Sequence, residues 1–356
     1  MGWTGIFKQP ADWYKHNCIL SDLTNKSWPV YYKNNGENSM LTYYIGQYIL
    51  PCFIGKITSS IITTQIANGI WAMIGLLLSL LGIFKVTKSD TKEKQIVALI
   101  ILFMFSACVS LSQNIGKLVI PDKIYADGHW LCFFGDYKLQ LSSNIVLLRW
   151  VMPQCIIPWI IICLFYDDPY NIENYVICCI PALFYSTLSF ISLCIILIFM
   201  VFIKYYKERN ISNILKEIFS ISNIITVITL GVILLAYFGG NVFSSKPESI
   251  GFDLVSYDNE NFLIYAIFIT EFIPYTILLF KSNKKNPLYW ISTIILLVLP
   301  FAKMGLFNDL LMRCSIVPLF IYMLLCIKEL FNKDSKQIIK ILLILFLAMR
   351  KLFKYE

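Results

Sequence analysis

The side chains best suited to chemistry lie in the first thirty residues. They include the run Asp12-Trp13-Tyr14-Lys15-His16-Asn17, then Asp22-Leu23 and Trp28-Pro29-Val30. After Pro10, which suits a first helical turn, residues recur at helical spacing, and we predict that they share one helix face: Asp12, Lys15, His16, Ile19 and Asp22. Asp12, with His16 one turn later, is a candidate general base for an acceptor hydroxyl. The alternative is a solvated surface helix whose first turn Asp12 stabilises through the helix dipole.

Basic and amide side chains farther along the chain are candidates for binding a phosphate. Arg149 lies in the run Leu148-Arg149-Trp150-Val151-Met152-Pro153-Gln154, and Arg313 follows Asn308-Asp309. A guanidinium can hold a phosphate through two parallel hydrogen bonds. We assign substrate or phosphate binding to four residues: Lys15, Arg149, Gln154 and Arg313. The alternative is that Arg313 pairs with Asp309 at i, i+4 and that Arg149 extends to the membrane interface.

Three residues are secondary site candidates: Asp22, His129 and Asp309. His129 could join Asp12 or Asp22 around a divalent ion, but two histidines in the whole chain exclude a histidine-rich metal site. An oxygen-rich site for Mg²⁺ or Mn²⁺ stays open. The eleven cysteines show no metal-ligand spacing, and one disulfide between Cys18 and Cys132 stays open.

The elements that must position these residues are membrane spans. Hydrophobic residues make up 58% and charged residues 15% of the 356 residues, and the mean hydropathy is +0.67. This composition excludes a soluble protein and fits a polytopic membrane protein. Runs long enough to cross a bilayer, which takes about 20 residues, lie near 66–86, 96–119, 218–238, 262–280, 288–306 and 311–327. We predict an all-α, polytopic transmembrane helix bundle with about 8–10 spans, several of them short or broken, and with outward-facing interfacial helices.

The region 144–203 is apolar but interrupted. Prolines fall within it, and Asp167-Asp168-Pro169 indicates a turn. Residues 174–203 form either two short spans or one long helix, and in the second case 144–165 is a re-entrant hairpin. Broken helices at membrane depth need protein or a water-filled cavity to satisfy their backbone, so we expect a cavity here. Glu271, deep in a predicted span, and Lys303 are further candidates, either as a site or as a buried pair.

Loop charge predicts the orientation. Lysines concentrate in alternate loops, after residues 84, 203 and 280, which places those loops in the cytoplasm. This orientation divides the chain into three segments. Residues 1–65 form an extracytoplasmic polar segment with an interfacial helix over Leu41–Ile57, and residues 66–328 form a multi-span domain. Residues 329–356 form a basic tail with a cytoplasmic interfacial helix over Ile338–Met349. The net charge of +8 thus reflects cytoplasmic anchoring, and we expect no nucleic-acid partner.

The first forty residues contain no apolar run that could carry them across a membrane. Two interpretations follow from the predicted orientation. Either a preceding transmembrane helix is missing from this chain, or the polar segment crosses without one.

The quoted runs, together with the early acidic residue, the interfacial helices and the broken spans, resemble the GT-C superfamily of integral-membrane glycosyltransferases of the bacterial cell envelope. The resemblance covers most of the chain, and Asn308-Asp309-Leu310-Leu311-Met312-Arg313 adds to it. It implies a polyprenyl-phosphate sugar donor, an envelope glycan or lipid acceptor, a site at the outer face of the plasma membrane, and Asp12 as the base. The chain departs from the family in having no Asp-x-Asp or Glu-x-Asp pair after Asp12.

Other classes of function stay open at this point. A transporter or flippase for polyprenyl-linked or other anionic lipids would use Arg149, Arg313 and the broken helices as its pathway. Internal repeats would favour that class, and the sequence shows none. The third interpretation is a non-catalytic membrane subunit. All three classes have membrane lipids as partners.

Overall fold

The computed structural model describes residues 9–34, 37–127, 130–133, 138–242, 251–257, 262–305 and 308–348. Within these ranges the chain is mostly helical. The helices are α1 (Trp13–Asn25), α2 (Gly46–Thr58), α3 (Ile61–Thr87), α4 (Lys92–Met104), α5 (Val109–Val119), α6 (Asn144–Trp150), α7 (Met152–Phe165), α8 (Tyr175–Cys179), α9 (Ala182–Tyr185), α10 (Thr187–Glu208), α11 (Ile211–Ile218), α12 (Ile221–Thr226), α13 (Val232–Val242), α14 (Phe262–Ile269), α15 (Ile273–Asn283), α16 (Pro287–Val298), α17 (Asp309–Cys314), α18 (Ile316–Phe331) and α19 (Gln337–Ala348). The strands are β1 (Tyr31–Asn34), β2 (Glu37–Met40), β3 (Ile124–Asp127), β4 (Trp130–Phe133), β5 (Lys138–Leu139), β6 (Phe252–Leu254) and β7 (Ala302–Met304). They pair antiparallel, as β1-β2, β3-β4-β5 and β6-β7.

Five described helical segments are long and apolar enough to cross a membrane: Ile61–Thr87, Lys92–Val119, Thr187–Glu208, Ile221–Gly240 and Asp309–Phe331. A sixth crossing is formed if α14 and α15, bent by 54°, count as one span. These segments include five of the six predicted apolar runs. The described residues also contain four shorter apolar helices of 10–17 residues: Met152–Phe165, Ile172–Tyr185, Pro287–Phe301 and Gln337–Leu347. The described chain is therefore a helical protein suited to a membrane, and the total of about 8–10 spans, several short or broken, stays a prediction.

Two predicted regions differ from the structure. The run 288–306 does not form one long helix, because α16 passes into a 3-10 turn at Leu299–Phe301 that contains Pro300, and β7 follows. Region 174–203 is neither two short spans nor one long helix. Short α8 and α9 come first, and α10 starts anew after Ser186, whose side chain accepts from the Ser189 N–H. The turn predicted at Asp167-Asp168 is confirmed between α7 and α8.

The chain divides into two compact units, and each is discontinuous in sequence. The first consists of residues 1–81 and 147–249. In its described part, α1, the β1-β2 hairpin and α2 share a small hydrophobic core: Ile19, Leu20, Leu23, Val30, Ile45, Tyr48 and Cys52. Tyr237 on α13 links this core to a candidate span. Its hydroxyl accepts a hydrogen bond from the Tyr43 N–H at 2.8 Å and donates one to the Tyr43 carbonyl at 3.0 Å. The described residues of the polar N-terminal segment are thus folded and packed within their unit.

The second unit consists of residues 82–146 and 250–356. Helix α18 is its most buried element and packs against α4, α15 and α16. The Tyr322 hydroxyl on α18 lies 2.7 Å from the hydroxyls of both Thr276 and Thr293, which links three helices. Helix α19 confirms the helix predicted near the C-terminus. Its Leu343 is buried and its Phe346 ring lies 6.3 Å from the Tyr275 ring, so α19 packs onto this unit.

Candidate functional site

Helix α1 begins directly after Asp12 and buries an apolar stripe. Trp13, His16, Leu20 and Leu23 face the interior at the i, i+3, i+7 spacing of a packed helix face, whereas Asp12 and Lys15 are exposed. The residues predicted to share one face, Asp12, Lys15, His16, Ile19 and Asp22, therefore differ in burial, since His16 and Ile19 are buried whereas Asp12 and Lys15 are exposed. The Tyr48 hydroxyl and neighbouring aromatic rings surround the buried imidazole of His16.

His16 lies in an aromatic pocket below the first turn of α1. Its side chain is 5% exposed, its Nδ1 is 2.7 Å from the Tyr48 hydroxyl, and its ring centroid is 5.1 Å from Trp13 and 5.8 Å from Tyr43. Burial raises the pKa of Tyr48 well above its ordinary value, so this hydroxyl stays neutral. His16 supports the turn that carries Asp12 and is not exposed beside that carboxylate.

Trp13 joins the Asp12 turn to the segment predicted to bind phosphate. Its side chain is 1% exposed, and its Nε1 donates to the Arg149 carbonyl at 3.0 Å, across 136 residues of sequence. The last carbonyls of a helix have no partner inside it, and Arg149 stands one residue before the end of α6. The Trp13 indole satisfies this carbonyl and so holds Asp12 and Arg149 in neighbouring segments of one unit.

Three further predicted site residues belong to the same unit. Arg149 is half-buried, and Gln154, in the first turn of α7, is buried with its Oε1 lacking a hydrogen-bond partner within the described residues. Lys15 is exposed one turn after Asp12, with its Nζ 5.9 Å from the centre of the Tyr43 ring. The Asp12 carboxylate makes no capping hydrogen bond to α1. The site therefore has an exposed carboxylate, an exposed ammonium and a buried amide oxygen available for a polar ligand.

Asp22 belongs to a structural network, which separates it from Asp12. Its carboxylate accepts from the Tyr32 hydroxyl at 2.6 Å and pairs with Lys26 at 3.0 Å. Partial burial acts to raise the pKa of Asp22, but the hydrogen bonds from Tyr32 and Lys26 and the charge of Lys26 outweigh it, so the pKa lies below 3.8. Burial, and then the bond to Asp22, raises the pKa of Tyr32 to about 12. The network ties α1 to the β1-β2 hairpin.

We expect Tyr32→Phe to weaken the acid sensitivity of the protein. Because the folded-state pKa of Asp22 is lowered, its stabilising contribution is present above the ordinary pKa of 3.8 and is lost as the pH falls through the folded-state value. The free energy of unfolding should therefore fall less in Tyr32→Phe than in the unaltered protein between about pH 5 and about pH 2. Chemical unfolding at several pH values measures this. Tyr31→Phe, at an exposed neighbouring ring, is the control, and an equal fall in all three proteins would contradict the assignment.

The remaining candidates lie apart from this site in sequence and unit. In the second unit, Arg313 pairs with Asp309 at 3.5 Å, as the alternative interpretation predicted. Lys303 lies on β7, in register with Asp253 on β6. Glu271 is fully buried at the break between α14 and α15 and accepts a hydrogen bond from Ser112. His129 falls outside the described residues.

The sequence leaves open one disulfide and an oxygen-rich metal site. Cys18 is a free, exposed thiol. The side chain of Cys132 lies outside the described residues, so a disulfide between the two stays open. Among the described residues, no three side chains of His, Cys, Asp or Glu come together as a metal site.

Sequence reasoning missed the two residues that organise the site, Trp13 and Tyr48. The signal for Trp13 was present, because Trp13, Leu20 and Leu23 repeat at the spacing of a buried helix face. No sequence signal paired Tyr48 with His16. Comparisons with family models, with curated proteins and with solved structures find no match for this chain.

Proposed function

We propose that the protein is a GT-C-type glycosyltransferase that moves a sugar from a polyprenyl-phosphate donor to an envelope acceptor at the outer face of a bacterial plasma membrane. One observation supports this most directly: the Trp13 indole bonds the Arg149 carbonyl at 3.0 Å and so joins the segment of the candidate base to that of the candidate phosphate ligand. The proposal includes the outward position of residues 1–65 and the further spans that the GT-C resemblance implies.

Each site residue has a chemical task in this reaction. Asp12 takes the proton of the acceptor hydroxyl while the hydroxyl oxygen of the acceptor bonds to the anomeric carbon of the donor sugar. The bond from that carbon to the donor phosphate breaks, and the polyprenyl phosphate leaves with the electron pair. The reaction passes through an oxocarbenium-like state, so a base and a cationic group near the leaving phosphate both lower its barrier. Lys15 and Arg149 supply the positive charge.

Gln154 and His16 have supporting roles in this scheme and do not accept the proton of the acceptor hydroxyl. The unsatisfied Gln154 Oε1 is an acceptor and suits a sugar hydroxyl better than a phosphate oxygen, which itself only accepts. His16 is a positioning residue in this scheme, because it is buried against Tyr48 beneath the turn. Arg313 pairs with Asp309 at 3.5 Å in the second unit, and its assignment to phosphate binding stays a prediction.

The test is Asp12→Asn in a deletion strain, with lipid-linked sugars and envelope glycans profiled at equal membrane levels of each protein. We expect the unaltered chain to restore a missing glycan and Asp12→Asn to lower transfer about 10²-fold or more, because a positioned base contributes about that much. Asp90→Asn, at another exposed aspartate, is the matched control and should restore the glycan fully. Full restoration by Asp12→Asn would remove Asp12 from the chemistry.

The orientation is checked in the same cells with a membrane-impermeant maleimide. Cys18 is free and exposed on α1, so it should react from outside, and Cys18→Ser should lose that label. Cys52 on α2 is an internal control, since burial raises the pKa of its thiol to about 11 and keeps it unreactive. Labelling of Cys18 only after membrane permeabilisation would place the site on the cytoplasmic side and contradict the proposal.

A transporter or flippase is the second candidate, because two apolar segments in the second unit are interrupted, at 105–108 and at 270–272. Interrupted helices of this kind line the pathways of many transporters. Assays with detergent-solubilised protein separate the two candidates. A glycosyltransferase still forms product from donor and acceptor in micelles, whereas a flippase has no compartments to act between.

A further inference from the structure

A buried carboxyl group that the transfer reaction does not use lies in the second unit. Glu271 is 0% exposed and lies in the break between α14 and α15. Its Oε1 is 2.8 Å from the Ser112 hydroxyl, while its Oε2 is buried without a hydrogen-bond partner in the part of the chain that the structure describes. No basic side chain of the described residues forms an ion pair with it. An ionised Glu271 would therefore be a buried charge with a single donor.

The backbone around Glu271 is satisfied, in contrast to its carboxyl group. A second helix break, at 105–108, separates α4 from α5, and the Cys108 N–H donates to the Glu271 carbonyl at 2.7 Å. The Tyr275 hydroxyl donates to the Ser106 carbonyl at 2.9 Å, and the Asn144 amide donates to the Leu102 carbonyl at 2.9 Å. Non-helical backbone at membrane depth requires such partners. The two breaks thus form a fixed structure with one unsatisfied polar atom at its centre.

The Ser112 hydroxyl has one hydrogen and two acceptors within bonding distance. These are the Val109 carbonyl at 2.9 Å and Glu271 Oε1 at 2.8 Å. If Glu271 is ionised, the hydrogen bonds the carboxylate and the Val109 carbonyl loses it. If Glu271 carries a proton on Oε1, that proton bonds Ser112, and Ser112 donates to Val109. A proton resolves the conflict and removes the buried charge, which is costly without a partner.

We propose that Glu271 and Ser112 form a proton-binding site within the membrane-embedded part of the protein. The site holds the proton as a neutral carboxylic acid and releases it to water as the pH rises. It does not depend on the transfer reaction proposed above, so either proposal can fail while the other stands. We take the proton alone as the ligand, because among the described residues no group of three or more His, Cys, Asp or Glu side chains comes together as a metal site.

The groups that face Glu271 do not supply another charge near neutral pH. The thiols and phenols on or beside α5, α14, α15 and α18 are Cys108, Tyr265, Tyr275, Tyr322 and Cys326, and such groups are neutral in their ordinary state below about pH 8. Lys281 on α15 is exposed, and Lys328 lies in the last turn of α18. Glu329, farther along α18, bonds Ser335, and Lys117 on α5 is exposed. Glu271 is therefore the group in this region whose charge state should change.

Dicyclohexylcarbodiimide tests the proposal, because it adds to protonated carboxyl groups in apolar surroundings. The purified protein is treated in lipid vesicles from about pH 5 to about pH 9, and the labelled peptides are quantified by mass spectrometry. We expect Glu271 to be labelled at neutral pH and its labelling to fall about tenfold per pH unit above the midpoint. Glu93, an exposed carboxylate of the same chain, should stay unlabelled at neutral pH.

Three variants make the result specific. Glu271→Gln keeps the shape of the side chain and should remove the label, whereas Glu93→Gln should leave it unchanged. Ser112→Ala should move the fall in labelling to higher pH, because the ionised carboxylate loses its one hydrogen-bond donor. The proposal is overturned if Glu271 is unlabelled in the folded protein, if labelling is constant with pH, or if sodium ions at fixed pH protect it, which would make Glu271 a metal ligand.

Discussion

Trp13→Ala should lower the free energy of unfolding by about 3–5 kcal/mol, the range for removing a large aromatic side chain from a core. Trp13 is 1% exposed and its ring packs against His16, so alanine would leave a cavity under the first turn of α1. It would also leave the Arg149 carbonyl without the indole N–H that bonds it at 3.0 Å. Both losses act at the point where the Asp12 turn is held against the end of α6.

Unfolding by SDS in mixed micelles, followed by far-UV circular dichroism, measures this difference. Tyr14→Ala is the matched control, because the adjacent side chain is 83% exposed and its removal should change stability by less than about 0.5 kcal/mol. Trp13→Phe separates the two losses, since it keeps a ring but removes the donor, and should cost about 1–3 kcal/mol. Similar losses for Trp13→Ala and Tyr14→Ala would show that α1 is not anchored through Trp13.

The long helices were predictable because a continuous apolar run of sufficient length determines a span locally. The break at 105–108 was not, since the run 96–119 contains no proline. Its freed carbonyls bond Tyr275 and Asn144, which are distant in sequence, and a tertiary partner of that kind leaves no local pattern. The early end of the run 288–306 had a local signal in Pro300, but the pairing of β7 with β6 did not.

The residue types of the candidate site were predictable from the sequence, but their arrangement in space was not. Asp12, Arg149 and Gln154 were identified because charged and amide groups stand out in an apolar chain. Their connection depends on one indole N–H across 136 residues, which spacing cannot indicate. Helical spacing grouped His16 with Asp12 but could not show that the imidazole is buried, where it is satisfied by the Tyr48 hydroxyl, 32 residues away in sequence.

Gly55→Ala should be the second strongly destabilising change, and it acts where α2 meets α3. A Cβ at Gly55 would lie 1.7 Å from the Thr64 hydroxyl oxygen and 3.2 Å from the Ser60 carbonyl. The Thr64 hydroxyl also lies 3.0 Å from that of Thr24 on α1, so three helices meet at this contact. Overpacking of this kind costs about 1–3 kcal/mol, and here relief requires moving α2 away from α3. The same SDS titration measures the loss.

Gly239→Ala is the matched control, since a Cβ at this helical position meets nothing within 4 Å. It should be neutral or stabilising by up to about 1 kcal/mol, because alanine is favoured over glycine inside a helix. Thr64→Ala in the Gly55→Ala background should recover part of the loss, as it removes the atom at 1.7 Å but leaves the Ser60 carbonyl in place. The two changes should therefore be non-additive, as expected for residues in contact. If Gly55→Ala behaves like Gly239→Ala, α2 does not approach α3 this closely, and the docking of the polar segment must depend on Trp13 and Tyr237 instead.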